Sequence, residues 1–385
     1  MKRNRLYFFD NLKWFIIWLM VVFHGAMCYM AYAPDWWYVV DKDQPVLSAT
    51  IFICWADIFI MPVMFFISGY FGLMSMSRHG LRLFWRKKVS RIILPWLFGS
   101  IFIAPPVTYI ILASRHANMG FWDFYGNLFW GPLYEQAQYW YLGALLALYG
   151  LLTLTVELFP RLCEQRAGRP GGRTFLYMFL VAAGSIGAIS SFMHPDTWRF
   201  FAYILVLQPV RIPLYIMVFF TGAWAWRQKW FTKGGYVPGT GTWGMAFLLT
   251  GIAYLWQKFF LPELGWEAAV MTWTNAITMG AFALSSLFFL LGFFRKWLNG
   301  TGRLLSALGG TSYGVYYLHM PVLFPVAWAF VGTEMNVYLK YICVCVLTLG
   351  ICYLGSRYGL SHLKSFALPN INREEGVTAG RECLR

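Results

Sequence analysis

Of the six histidines in the chain, His24 and His319 fall inside apolar stretches, where a polar side chain is costly and calls for a reason. His79, His116, His194 and His362 lie in polar connecting segments, where solvation accounts for them. An imidazole titrates near pH 6.5 or about there, so it acts as a base toward a hydroxyl or is itself acylated. The residues leave both routes open. Counted from Trp14 at about 1.5 Å per residue, His24 sits roughly 15 Å into its stretch, near the middle of a bilayer-sized segment. Lys13 stands eleven residues earlier, which is close to three helical turns, so the two side chains share one face. That pairing suits an anion that touches Lys13 at the membrane surface while its reactive end reaches His24. The bland alternative for His24 is a buried histidine satisfied by a neighbouring helix. His319 lies roughly 10 Å into its own stretch. It orients one substrate, or it is structural and held by Tyr313 or Tyr316.

The elements that must position these residues are membrane helices. Apolar residues make up 59% of the chain, aromatics 20% and charged residues only 12%, against about 25% charged in soluble domains. Ten stretches are long enough to cross a bilayer, near 12–32, 48–74, 91–113, 138–159, 174–193, 211–229, 242–261, 267–294, 311–332 and 337–357. The sixth is the least clean, because 199–210 is also apolar and reads as a possible re-entrant piece. With the N-terminus inside, 25 of the 31 Lys and Arg residues fall in cytoplasmic segments, as the positive-inside rule requires. The expectation is an all-α polytopic protein with about ten transmembrane helices and both termini cytoplasmic. The formal charge of +15 is then a topology signal, and its division among six inner segments argues against nucleic acid. Lys2, Arg3 and Arg5 ahead of the first stretch, with Ala31-Tyr32-Ala33 behind it, imitate a signal peptide. The stretch is too long for one, and Pro34 occupies the place of cleavage. The seven cysteines, Cys28, Cys54, Cys163, Cys343, Cys345, Cys352 and Cys383, form no CxxC and suggest neither disulfides nor a metal site.

Four segments in chain order, RLYFFDNLKWFIIWLMVVFH, MFFISGYF, RKKVSRIILPW and TSYGVYYLHMPV, together resemble one family, the acyltransferase-3 family of integral membrane acyltransferases. Arg5 to His24 reads RLYFFDNLKWFIIWLMVVFH, similar to the family's opening, an Arg followed after ten residues by a His. Here the spacing is kept and the cation is Lys13, which retains the charge without the bidentate fork of arginine. MFFISGYF at Met64–Phe71 resembles the second-span signature with Ser68-Gly69-Tyr70. RKKVSRIILPW at Arg86–Trp96 resembles the basic entry to the third span, with Lys88 and Arg91 in place of its RxxR pair. TSYGVYYLHMPV at Thr311–Val322 resembles the late signature containing His319. FISGY, together with QYWYL at Gln138–Leu142, leans toward the glucan biosynthesis protein C branch.

The resemblance implies transfer of an acyl group, acetyl or succinyl, from cytoplasmic acyl-CoA to a carbohydrate hydroxyl at the outer face of a bacterial cytoplasmic membrane. Lys13, His24 and His319 would be the catalytic group. Lys13, Arg86, Lys88, Arg91, Ser68 and Tyr313 would hold the donor, with no metal. The bland reading of the 86–91 cluster is topology charge alone. Asp57 contacts the acceptor from the outer side, or it pairs with another helix. Asp10 belongs to the family's opening motif and also suits a helix N-terminus. Trp140 and the loop aromatics, among them Trp36, Trp37, Trp122 and Trp130, stack on sugars or form the interfacial belt. The enzyme domain is read as 1–369, with a polar, disordered tail at 370–385. The segment 160–173 reads as a flexible hinge. A glycan or lipid transporter is the rival reading, and the chain lacks the internal repeat many transporters carry.

Overall fold

The computed structural model describes residues 6–32, 38–201 and 203–360. Lys2, Arg3, Arg5, Ala33, Pro34, Trp36, Trp37, His362, Cys383 and the tail 370–385 lie outside the described residues. The chain is built almost wholly of helices: α1 (Tyr7–Met27), α2 (Leu47–Lys88), α3 (Leu94–Phe98), α4 (Ala104–Ala113), α5 (Phe121–Phe124), α6 (Trp140–Leu158), α7 (Gly172–Ser190), α8 (Ile212–Arg227), α9 (Thr240–Phe259), α10 (Ala268–Trp297), α11 (Arg303–Phe330) and α12 (Val337–Leu354). Each apolar stretch found in the sequence falls on helix. The third is broken into α3 and α4 by wide turns at Val89–Ile93 and Gly99–Ile103.

Six helical runs among the described residues are long and apolar enough to cross a membrane: Tyr7–Met27, Leu47–Ala113, Ala137–Leu158, Gly172–Ser190, Ala268–Trp297 and Val337–Gly359. The 67-residue run of Leu47–Ala113 far exceeds one bilayer thickness. It bends at Gly80, whose φ of 70° is a left-handed backbone that glycine adopts without a Cβ clash. Apolar side chains also cover the outside of the bundle. Leu180 and Val181 on α7, Leu248 and Ile252 on α9, and Val346 and Ile351 on α12 are all exposed. A soluble protein does not leave such faces bare, and a bilayer covers them. The architecture is that of an all-α, multi-pass membrane protein.

The tightest helix contact joins α2 and α8. A Cβ built on Gly69 would stand 1.8 Å from the Phe219 carbonyl oxygen, and one on Gly222 would stand 2.0 Å from that of Phe66. With no water to exclude between membrane helices, close backbone approach through small residues is what holds them. The glycine of the Ser68-Gly69-Tyr70 signature is therefore a packing residue. A second lock is the buried pair of Lys340 on α12 and Asp41 in the α1–α2 connection, 2.6 Å apart and both 1% exposed.

Two connections differ from the sequence reading. The 199–210 segment, read as a possible re-entrant piece, is an antiparallel hairpin, β1 (Arg199–Phe201) with β2 (Leu205–Leu207), followed by a tight turn at Pro209–Arg211. Its tip is held from the 130–136 loop: the Tyr134 hydroxyl donates to Tyr203 O at 2.7 Å and Gln136 Nε2 to Ile204 O at 3.1 Å. The 160–173 segment, expected as a hinge, is tied to the end of α8 by Arg166 N to Arg227 O (2.8 Å) and Gln165 Nε2 to Trp226 O (3.0 Å).

Candidate active site

His24 comes from the last turns of α1, and His319 from the middle of α11, which packs along it. Their ring centroids are 5.2 Å apart with the planes inclined at 34°. His319 is fully buried. Its Nδ1 lies 2.7 Å from the Tyr316 carbonyl oxygen. A carbonyl only accepts, so Nδ1 carries the proton and the neutral ring offers Nε2 as an acceptor. The sequence expectation of a histidine held by Tyr316 is thus met by the backbone, while the Tyr316 hydroxyl donates to Gln138 O at 2.7 Å. His319 Nε2 and His24 Nδ1 are buried without a hydrogen-bond partner among the described residues. Buried polar atoms are nearly always paired in folded proteins.

A cavity of about 580 Å³ reaches His24. From there it runs toward the connections at the far end of α1, past Trp140, Tyr215 and Asp57 to Asp196, Lys258 and Pro262. α1 begins at Tyr7 rather than Trp14, so His24 stands seventeen residues into the helix and one turn short of its end. Measured along the helix it therefore lies beyond the middle, closer to the loop-side mouth than a count from Trp14 gives. Trp140 forms a wall, edge to face with Trp198 at 5.2 Å and stacked with Tyr215 at 6.3 Å. Facing it, Asp57 is bound to Arg211, which also reaches Asp196 at 3.3 Å. Asp57 thus makes the ion pair of the bland reading and lines the cavity as well. For Asp196, outside the spans, burial pushes the carboxyl up. Arg211, Lys258 and His194 outweigh that and hold it below the ordinary range, so it stays a carboxylate at neutral pH.

The other expected site residues lie elsewhere. Ser68 sits behind the wall, its hydroxyl 2.9 Å from that of Tyr141, which does line the cavity. The Tyr313 hydroxyl donates to Arg91 O at 2.9 Å and so ties α11 to the wide turn at Val89–Ile93. Lys88 Nζ lies 3.9 Å above the Tyr149 ring, a cation–π contact. Arg86 and Arg91 are exposed beside it. Lys13 and Asp10 occupy the opening turns of α1. Asp10 faces α11, where a Cβ on Gly309 would meet its Cβ at 3.9 Å. None of these residues lines the cavity. His24, Asp57 and Trp140 line one cavity, His319 packs behind His24 without lining it, and Lys13 lies about 16 Å from His24 along α1. Among the described residues no cluster of three or more metal-ligating side chains occurs.

Several contributors were not singled out from sequence. Asn11, in the opening motif, is buried and donates to Leu298 O at 2.7 Å and Gly300 O at 3.0 Å, fixing α1 to the α10–α11 connection. Its signal was an amide at the start of an apolar helix. Arg211 had been counted only as an outer charge, and Gln138 only as part of QYWYL.

A helical membrane protein in which a cavity with polar lining reaches one of two neighbouring buried histidines is the class these features define. The acyltransferase domain family matches residues 6–357, nearly the whole chain, so the chain belongs to the acyltransferase-3 family of acyl-transferring enzymes. It is also similar to the Glucans biosynthesis protein C of Escherichia coli O1:K1 / APEC and to that of Escherichia coli O9:H4 (strain HS). Each is 29% identical over 165 residues, which is 41% of this chain and 40% of the relative's length. The match thus spans less than half of those relatives. No solved structure matches the chain.

Proposed function

We propose that the protein is a membrane O-acyltransferase that moves an acetyl or succinyl group from cytoplasmic acyl-CoA to a carbohydrate hydroxyl on the opposite face of a bacterial cytoplasmic membrane. The reading takes the chain through the bilayer ten times with both termini cytoplasmic, supported by the Lys and Arg bias across alternate connections. That orientation puts Lys13, Arg86, Lys88 and Arg91 on the cytoplasmic side, where a polyanionic nucleotide arrives. The cavity then opens toward the other side, where the glycan is. His24, near the mouth end of α1, is where the two routes meet.

In the transfer the thioester C–S bond breaks, a new C–O ester bond forms, and the hydroxyl proton leaves through an imidazole to the CoA thiolate. Either His24 takes that proton directly, or it is acylated first and passes the group on. His319, with Nδ1–H committed to the Tyr316 carbonyl, presents its acceptor nitrogen beside His24. Names of the relatives point to a glucan-related acceptor. The observation that carries the proposal is the pair of neighbouring imidazoles, each with an unpartnered buried nitrogen among the described residues, of which His24 lines the cavity and His319 packs beside it. Sealed inside-out vesicles loaded with a glucan oligosaccharide and given isotope-labelled acyl-CoA outside test it. Labelled ester on the enclosed glycan, found by mass spectrometry, is the expected result. Ester only when both substrates share a face would refute transfer across the membrane.

A further inference from the structure

Beside the histidines, a residue of the cavity wall carries another buried polar atom without a partner among the described residues. Gln138 is 3% exposed, lines the cavity and stands two residues before the wall residue Trp140. Its Nε2 donates to the Tyr317 carbonyl at 2.9 Å. Because a carbonyl cannot donate, this bond fixes which way the amide is turned, and the carboxamide cannot flip without setting two oxygens against each other. Oε1 is therefore held on the other side, buried and without a hydrogen-bond partner among the described residues. The backbone is pinned too: the Tyr316 hydroxyl donates to Gln138 O at 2.7 Å. Tyr316 also accepts from His319 through its carbonyl, so one turn of α11 sets both the amide and the imidazole.

We infer that Gln138 is an acceptor-binding residue whose Oε1 accepts a hydrogen bond from the sugar hydroxyl adjacent to the one that is acylated. This rests on the proposed carbohydrate acceptor. A pyranose stacked near Trp140 presents hydroxyls in vicinal pairs. His24 receives the proton of one, and a fixed oxygen acceptor accepts a hydrogen bond from its neighbour. An acceptor already turned and held costs no rotamer entropy on binding. A site built this way penalises the missing hydroxyl more than it rewards its presence, because the deoxy sugar leaves Oε1 buried and unpaired.

The test uses the full-length enzyme with acyl-CoA, methyl glucoside and its monodeoxy derivatives, with the acylated position read from the product. In the wild type, removing the hydroxyl next to the acylated position lowers kcat/KM by about 10- to 100-fold. In Gln138→Met, which keeps the volume and loses the oxygen, kcat/KM for the parent glucoside falls by a similar factor while the deoxy penalty shrinks to near unity. A variant damaged only in packing would keep the penalty, and that outcome overturns the inference. A wild type that uses every neighbouring monodeoxy sugar as well as the parent also overturns it, independently of how the variant folds. If the wild type transfers acyl groups to none of these sugars, while releasing CoA to a non-carbohydrate acceptor, the carbohydrate reading itself fails and takes this inference with it.

Discussion

At the scale of the residue, the site depends on which polar atoms are left unsatisfied. His24 and His319 were legible in the sequence because a histidine in an apolar stretch is expensive and stands out. The charge network at the cavity was not, because Asp57 and Arg211 are 154 residues apart and only folding joins them. Removing Arg211 leaves both Asp57 and Asp196 without their shared cation, whereas Asp57→Asn leaves Arg211 its second carboxylate. Arg211→Leu is therefore expected to cost about 3 kcal/mol and Asp57→Asn about 1 kcal/mol, the latter reduced by partial solvent exposure. Thermal unfolding in detergent measures both, and equal effects would refute this ranking. Lys13 belongs to the donor side of the proposed reaction. Lys13→Ala is expected to raise the KM for acyl-CoA about 10-fold with little change in kcat, while Lys13→Arg, which adds a bidentate fork, keeps or lowers it. A kcat loss without a KM change in Lys13→Ala would place Lys13 in the chemistry instead.

At the scale of the element, apolar run length predicted every long helix, since in a bilayer a helix satisfies its own backbone. It missed the β1–β2 hairpin because three-residue strands have no sequence signature of their own. This pair is set from outside, by the hydrogen bonds that Tyr134 and Gln136 send to its tip. Of the Ser68-Gly69-Tyr70 signature only Ser68 was read as donor binding, and the structure gives the glycine a packing reason. Gly69→Ala places a methyl group into the Phe219 carbonyl and forces α2 from α8. Gly150→Ala on α6 meets nothing within 4 Å. The first is expected to destabilise by about 3 kcal/mol, and the second to be neutral or to gain about 0.5 kcal/mol from helix propensity. Comparable melting temperatures for the two variants would show that the α2–α8 contact is looser than this.

At the scale of the whole molecule, the proposal stands on sidedness. The charge bias was legible because it is a sum over many residues, and single errors in helix ends do not alter it. The position of the cavity was not, because its lining comes from α1, α2, α6, α8, α9 and α11 together. Reporter fusions after Lys233 are expected to behave as cytoplasmic, and fusions within 115–118 as external. The reverse pattern would place the cavity mouth on the donor's side.

The central claim is that His24 carries acyl transfer, and CoA release tests it most directly. Purified protein would be given acetyl-CoA or succinyl-CoA with and without glucan acceptors, and free thiol followed for wild type and His24→Ala. Glycan-dependent release in the wild type, reduced at least about 1,000-fold in a His24→Ala protein that still folds, is the predicted result. Release that continues undiminished in His24→Ala would contradict the account.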